Sequence, residues 1–197
     1  MLEIIAIRHG ITQWNQQKRI QGHTDIPLCS AGIKLLQQYI LPADWYDYSW
    51  YCSPLQRAQQ TAQQLRLTVQ LETQLKEMHW GDWEGLALQQ LQQKYGDEFS
   101  QMESKGLDMH PHNGESPRLV KKRLTQWIKT LEQQKAESAT IGIITHKGVI
   151  RALLAAACDW DMTHKPPVKL DYLAAQKFGC DQDRWHLLEA NIPLLKE

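Results

Sequence analysis

A mostly apolar run at the N-terminus ends in a cation, an imidazole and a glycine, and this junction constrains the fold most. Residues 2–7 are Leu-Glu-Ile-Ile-Ala-Ile, a pattern that predicts a buried first β-strand. Arg8, His9 and Gly10 follow directly. Because ligands of open α/β sheets bind where the strands end, this junction is a candidate site. The alternative is an ordinary strand end with a surface Arg–His pair.

Strand-like and helix-like segments alternate along the 197 residues. Strands are predicted at 2–7, 49–52, 68–71, 140–145, 170–178 and 185–190. Helices are predicted from Ser30 through Tyr39 and Ile40, from Pro54, at 86–95, from Pro117, and at 148–157. This alternation favours a three-layer α/β/α sandwich with a mostly parallel central sheet. We expect one domain over 1–197, with the polar, irregular stretch 95–115 as a lid or insertion.

Charge and hydropathy exclude several kinds of partner. The 22 basic residues are balanced by 22 acidic ones, so we expect binding to neither nucleic acid nor an anionic membrane surface. No apolar run approaches the ~20 residues of a membrane-spanning helix. The chain opens on a strand-like segment, which predicts no signal peptide. Four widely spaced cysteines favour reduced thiols and a cytoplasmic location over structural disulfides.

A second strand end repeats the arrangement of the first. The apolar segment 140–145 leads into His146, Lys147 and Gly148, and a helix follows. The free N–H groups of a helix N-terminus attract anions. If the two strands are neighbours in the sheet, His146 lies beside His9. A histidine can act as nucleophile, base or ligand, although a single strand-end histidine is more often structural.

Two further segments offer chemistry, and each has a plain structural alternative. Residues 52–57 form a strand end, a turn and a helix start, with Arg57 in the first helical turn. Arg57 is either a solvated helix residue or a second guanidinium aimed at the same anion. Glu77 lies in the Trp- and Gly-rich segment 75–85. It is either a surface carboxylate or a proton donor in a partly desolvated pocket.

Together, the ordered motifs of this chain resemble the histidine phosphatase superfamily, which includes phosphoglycerate mutases and many small bacterial phosphatases. The motifs are R-H-G at 8–10, R-I-Q-G-H-T-D-I-P-L at 19–28, S-P-L-Q-R-A-Q-Q-T-A at 53–62, L-K-E and G-D-W-E-G within 75–85, N-G-E-S at 113–116, and T-H-K-G-V-I-R at 145–151. The resemblance covers roughly residues 2–155. It implies a phosphoglycerate mutase-like fold.

The resemblance implies a role for each matching side chain. His9 is the implied nucleophile that forms a phosphohistidine, and Glu77 is the implied general acid for the leaving oxygen. The phosphate pocket is implied to be lined by Arg8, Arg57 and His146. Further substrate contacts are implied for Asn15, Gln21 and Gly22. Phosphoryl transfer requires this kind of positioning and charge neutralisation.

Lys147 departs from the family pattern, because many relatives have a small residue directly after the second histidine. It either points outward without affecting function, or reaches the pocket mouth and favours substrates with a second acidic group. The sequence shows no carboxylate cluster or metal-type spacing. We therefore expect no metal and no cofactor.

The activity implied by the resemblance is that of a metal-independent phosphomonoesterase acting on a small phosphorylated metabolite. Three alternatives stay open: phosphoglycerate mutase-type phosphoryl transfer, an α-ribazole phosphate phosphatase, and a non-catalytic phosphate-binding module. The short chain argues against the mutase, whose insertions enclose the substrate. We expect either a monomer or a homodimer.

Overall fold

The computed structural model describes residues 1–134 and 139–196, and in these residues it contains eight strands and six α-helices. The strands are β1 Leu2–Arg8, β2 Tyr39–Ile40, β3 Ser49–Cys52, β4 Val69–Leu71, β5 Ala139–Thr145, β6 Ala175–Asp181, β7 Arg184–Ile192 and β8 Leu195–Lys196. The helices are α1 Gln13–Gln16, α2 Ser30–Leu36, α3 Gln56–Gln64, α4 Leu88–Glu103, α5 Pro117–Gln134 and α6 Lys147–Ala157. None of these helices is long and apolar enough to cross a membrane.

Six strands form one mixed sheet in the order β4-β3-β5-β1-β6-β7. The four strands β4, β3, β5 and β1 pair in parallel. The closing strands β6 and β7 run antiparallel to their neighbours. The prediction of a mostly parallel sheet is therefore confirmed. Because Arg8 pairs with Thr145, β1 and β5 end at the same edge.

Side chains of β1 alternate between two apolar cores, one on each face of the sheet. Ile4 packs into a core with Leu124 of α5 and residues of α6. Ile5 packs into the opposite core with Ala58 and Ala62 of α3. Burying one such aliphatic side chain stabilises the fold by about 1.5–3 kcal/mol. Helices therefore cover both faces, as the predicted three-layer sandwich requires.

The first long surface helix is shorter than predicted. Tyr39 and Ile40, expected on its apolar face, form the short strand β2 and pair with β8. The helix is capped by Cys29, whose Sγ accepts a hydrogen bond from the backbone of Gly32, and Ser30 is its first residue. Aromatic and β-branched residues suit a strand. The partner strand lies more than 150 residues further along, so local periodicity cannot indicate the pairing.

The stretch 95–115 is less irregular than predicted. Helix α4 continues through it as far as Glu103, with a kink at Gly96, where φ is 50° and ψ is −122°. Glycine adopts this positive φ without the clash that a Cβ would cause. Beyond the kink, Phe99 is buried against Trp83. Packing thus extends a helix into a polar sequence, and a lid function for this stretch stays a prediction.

The strand predicted at 170–178 begins only at Ala175. Before it, the carboxylate of Asp171 accepts a hydrogen bond from the backbone of Leu173 at 2.8 Å, which makes a local turn. This turn holds the Tyr172 ring beside Arg8 at the end of β1. Smaller differences are a later start of α3, at Gln56 rather than at the preceding proline, and of β4.

Candidate active site

Two neighbouring strands carry the paired histidines to one edge of the sheet. The backbone of His9 continues β1 and donates a hydrogen bond to the carbonyl of Thr145 at 2.9 Å. The ring centroids of His9 and His146 lie 5.0 Å apart, and both side chains are buried. The predicted adjacency of the two histidines is confirmed.

The His9 ring is held as a neutral imidazole with one free nitrogen. Its Nδ1 lies 2.7 Å from the Gly10 carbonyl oxygen. Because that oxygen only accepts, Nδ1 carries the hydrogen and Nε2 keeps a lone pair. Burial, then the charges of Arg8 and Arg57, hold the pKa of His9 well below its ordinary value. His9 is therefore ready to act as a nucleophile through Nε2.

His146 is fixed in the opposite tautomer. The Nε of Arg57 can only donate, and it lies 3.3 Å from the Nδ1 of His146. The Nε2 of His146 therefore carries the hydrogen and donates to Ser53 Oγ at 2.8 Å. Burial, then the Arg57 charge, hold the pKa of His146 well below its ordinary value. His146 thus positions the guanidinium behind His9.

Arg57 is fully buried, and its guanidinium is anchored by backbone carbonyls. Its Nη1 donates to the Thr24 carbonyl at 3.1 Å, and its Nη2 donates to the Gly22 carbonyl at 2.8 Å. A Cβ at Gly22 would lie 1.9 Å from a carboxylate oxygen of Glu84. Gly22 is therefore required for this close packing, and its carbonyl contacts the arginine.

Glu77 is a buried carboxyl group at the other side of the site. Its Oε1 accepts from the backbone of Met78 at 2.8 Å, and its Oε2 accepts from the backbone of Gly148 at 3.2 Å. Burial raises the pKa of Glu77, although these bonds and two arginines oppose the shift. The group therefore keeps its proton to higher pH than an ordinary glutamate, as a general acid requires.

The backbone around Glu77 is held by Arg123 of α5, a residue that the sequence analysis missed. Its Nε donates to Glu115 at 2.9 Å, and its Nη2 donates to the Lys76 carbonyl at 2.7 Å. It also donates to the Gln74 carbonyl. Glu115 lies in the N-G-E-S motif, which was the one available signal. Arg123 itself has no motif and sits on an ordinary amphipathic helix.

A polar network on the first loop lies near two buried donors, one on the loop and one at the end of β1. Thr12 caps α1, accepts from the Asn15 backbone at 3.1 Å, and donates to Gln21 Oε1 at 2.9 Å. The Nε2 of Gln21 and the Nε of Arg8 are buried without a hydrogen-bond partner among the described residues. Buried donors are normally satisfied, so these two are available to the oxygens of a bound anion.

A cavity of about 520 Å³ opens beside His9. Six of the nine predicted site residues line it: Arg8, His9, Asn15, Gln21, Glu77 and Lys147. Three lie behind its wall: Gly22, Arg57 and His146. Direct contacts from these three to a substrate stay predictions. The lining also includes three cations that were not predicted: Lys18, Arg19 and Arg151.

Two hydroxyl groups of the S-P-L-Q-R-A-Q-Q-T-A motif hold groups around His9. Thr61 Oγ1 accepts from the Gly10 backbone at 2.9 Å and donates to the Arg57 carbonyl at 2.6 Å. The second hydroxyl is that of Ser53, the partner of His146. Their place in the motif was a signal that the sequence analysis did not use.

The donors suit a phosphoryl group better than a cation. Over residues 1–134 and 139–196, no group of three or more His, Cys, Asp or Glu side chains is placed to hold a metal ion. All four cysteines are free. Arginine, histidine and amide donors converge on the cavity instead, and independence from metals stays a prediction.

Comparison with known proteins identifies the class to which this site belongs. The family described as Histidine phosphatase superfamily (branch 1) matches residues 4–193. The chain therefore belongs to branch 1 of the histidine phosphatase superfamily, and the resemblance found in the sequence motifs is confirmed.

Individual relatives agree with this assignment. Phosphoglycerate mutase-like protein 4 of Arabidopsis thaliana is 33% identical over 163 residues, covering 79% of this chain and 70% of that protein. Adenosylcobalamin/alpha-ribazole phosphatase of Escherichia coli (strain K12) is 29% identical over 196 residues, covering 96% of this chain and 91% of that protein. The structure of Bacillus stearothermophilus YhfR matches with a TM-score of 0.82 at 24% identity, covering 98% of both chains. This likeness confirms the predicted fold.

Proposed function

We propose that the protein is a metal-independent phosphomonoesterase that acts through a phosphohistidine at His9 on a small phosphorylated substrate. One observation carries the proposal. The neutral His9 ring, with its Nε2 lone pair free, borders a cavity that also contains Arg8 and the protonatable carboxyl of Glu77. Nucleophile, cation and acid are the three groups that transfer of a phosphoryl group to the protein needs.

In the first step, Nε2 of His9 attacks phosphorus and forms a P–N bond. The P–O bond to the leaving oxygen breaks, and that oxygen takes the proton of the Glu77 carboxyl. The ring keeps its Nδ1 hydrogen, which the Gly10 carbonyl continues to accept. The carbonyl therefore stabilises the positive charge that the phosphorylated ring acquires.

In the second step, water attacks phosphorus and gives a proton to the Glu77 carboxylate. The P–N bond breaks, inorganic phosphate leaves, and His9 and Glu77 regain their starting protonation states. The unused donors of Arg8 and Gln21 stabilise charge on the phosphoryl oxygens in both steps. Arg57 contributes its buried positive charge from behind His9.

Full-length similarity favours a phosphatase over a mutase. The Escherichia coli phosphatase aligns over 96% of this chain, whereas the mutase-like Arabidopsis protein aligns over 79%. The α-ribazole phosphate of the bacterial relative is thus one candidate substrate. A non-catalytic phosphate-binding module is disfavoured, because the nucleophile and the acid are both present and both border the cavity. A cytoplasmic location, with the cysteines reduced, stays part of the proposal.

Rapid quench with a ³²P-labelled monoester tests this function. We expect an acid-labile, base-stable phosphoenzyme that the His9→Ala variant does not form, and phosphate release that continues in excess EDTA. Label on serine or aspartate would refute the mechanism. Fast conversion of 3-phosphoglycerate to 2-phosphoglycerate with catalytic 2,3-bisphosphoglycerate, and little phosphate released, would establish the mutase instead.

A further inference from the structure

The walls of the cavity beside His9 carry an excess of positive charge. The lining residues include five cations, Arg8, Lys18, Arg19, Lys147 and Arg151, and two carboxyl groups, Glu77 and Glu103. Burial raises the pKa of Glu77, which weakens its ability to offset these cations. A concave site with charge of one sign concentrates ligands of the opposite sign. One phosphoryl group engages the donors near His9. Over residues 1–134 and 139–196, no carboxylate forms an ion pair with the cations at the mouth.

Lys147 and Arg151 occupy electrostatically unfavourable positions on α6. Lys147 is the first residue of the helix, where the helix dipole repels a cation. Arg151 follows four residues later on the same face, so the two like charges repel each other. Within the described chain, neither forms an ion pair with a carboxylate. Burial, Arg151 and Arg8 lower the pKa of Lys147. A local conflict of this kind is typical of a ligand site.

The ring of Tyr172 gathers these cations in one place. The Cζ of Arg8 lies 5.3 Å from the ring centroid, and the Nζ of Lys147 lies 5.5 Å from the same centroid. Burial raises the pKa of the Tyr172 hydroxyl, and the charge of Arg151 opposes this rise. The Cζ of Arg151 lies 4.8 Å from the ring centroid of Trp160. Aromatic rings orient cations without neutralising them. One side chain thus links a cation of the phosphate pocket to the two cations at the mouth.

We propose that Lys147, Arg151 and Tyr172 form a second anion-binding subsite, and that the substrate is a short phosphomonoester whose leaving group carries a carboxylate or a second phosphate. The planar guanidinium of Arg151, held on Trp160, suits either group. Because Arg8 and Lys147 contact the same ring, the two anionic groups of the substrate are separated by only a few bonds. This inference rests on the proposed phosphatase activity. It selects against an uncharged leaving group such as a nucleoside, and therefore against α-ribazole phosphate, the candidate substrate named above.

Three-carbon substrates that differ in the second group test the subsite. We expect kcat/KM for 3-phosphoglycerate or glycerol 1,3-bisphosphate to exceed that for glycerol 3-phosphate by about tenfold or more, the worth of one charge-assisted hydrogen bond. The substrate with the larger increase in kcat/KM over glycerol 3-phosphate shows whether the subsite prefers a carboxylate or a second phosphate. In Lys147→Gln and in Arg151→Gln, this ratio should fall about tenfold. A partly unfolded variant lowers both rates equally, so the ratio reports the subsite and not the fold.

Lys129→Gln is the matched control, because Lys129 is an exposed lysine of α5 that pairs with Asp183. Its ratio should equal that of the wild type. A wild-type ratio near one, or an unchanged ratio in both subsite variants, would overturn the subsite. If the same protein still hydrolyses p-nitrophenyl phosphate, the proposed phosphatase activity stands without the subsite. No release from any of the four monoesters would overturn both proposals.

Discussion

Replacing Glu77 with glutamine tests the general acid most directly. The amide keeps the size of the side chain and removes the transferable proton. General acid catalysis is typically worth about 10²–10⁴ in rate, so kcat on an alkyl phosphate such as glycerol 3-phosphate should fall by that factor. p-Nitrophenolate leaves with little protonation, so p-nitrophenyl phosphate should lose far less.

The hydrogen bonds of Glu77 set the size of the rate loss expected for p-nitrophenyl phosphate. Both carboxylate oxygens of Glu77 accept backbone hydrogen bonds, from Met78 and from Gly148. The glutamine oxygen replaces one acceptor, and its NH₂ then faces the other N–H. One unmade bond costs about 1–3 kcal/mol, equivalent to roughly fivefold to 150-fold if the whole cost falls on the transition state.

The assay compares initial rates on the two substrates for the wild type and the variant. Glu103→Gln is the control, because it makes the same chemical change at an exposed carboxylate of the cavity wall, and both rates should stay near wild type. Equal losses on the alkyl and aryl substrates in Glu77→Gln would refute the assignment. They would show that Glu77 is structural, or that it acts only when water attacks the phosphohistidine.

Three further predictions follow from the same contacts. A Cβ at Gly148 would lie 2.3 Å from Oε1 of the acid, so Gly148→Ala should lower kcat at least about tenfold, whereas an unchanged kcat would contradict the close packing. Arg123→Leu should destabilise the fold by about 3 kcal/mol and lower kcat, because it removes the bonds around the acid. On the same helix, Arg118→Leu removes only a surface ion pair and should cost under about 1 kcal/mol in urea unfolding. Similar losses of stability in both variants would contradict the role of Arg123 in holding the backbone around Glu77. His9 and His146 have lowered pKa values in the folded state, so the unfolded chain takes up protons that the native state does not. The free energy of unfolding should therefore fall as pH drops below about 6.5, by up to ~1.4 kcal/mol per pH unit for each histidine. The raised pKa of the buried acid acts in the opposite direction between its unfolded and folded values. His9→Asn should reduce the slope measured by urea titration, and a slope equal to that of the wild type would argue against a buried neutral histidine.

Local patterns predicted the strands and helices that bury continuous apolar faces. β1 and β5 were predicted because their apolar runs are long and bounded by polar residues. Errors arose where packing outweighed composition. Phe99, buried against Trp83, holds a helix in a polar stretch, and Tyr39 forms a strand because β8 supplies a distant partner. Neither contact has a local signal.

The motifs predicted which side chains gather around His9, because they place Arg8, Arg57 and His146 at strand ends or a helix start and Glu77 in a loop rich in Trp and Gly. The tertiary structure decided how each group is used. Only the packed chain shows that one histidine keeps a free nitrogen while the other is bound to an arginine, or that burial raises the pKa of one carboxyl. Tautomers, pKa values and the gathering of cations around Tyr172 depend on neighbours that are distant along the chain, and a linear motif carries no record of those neighbours.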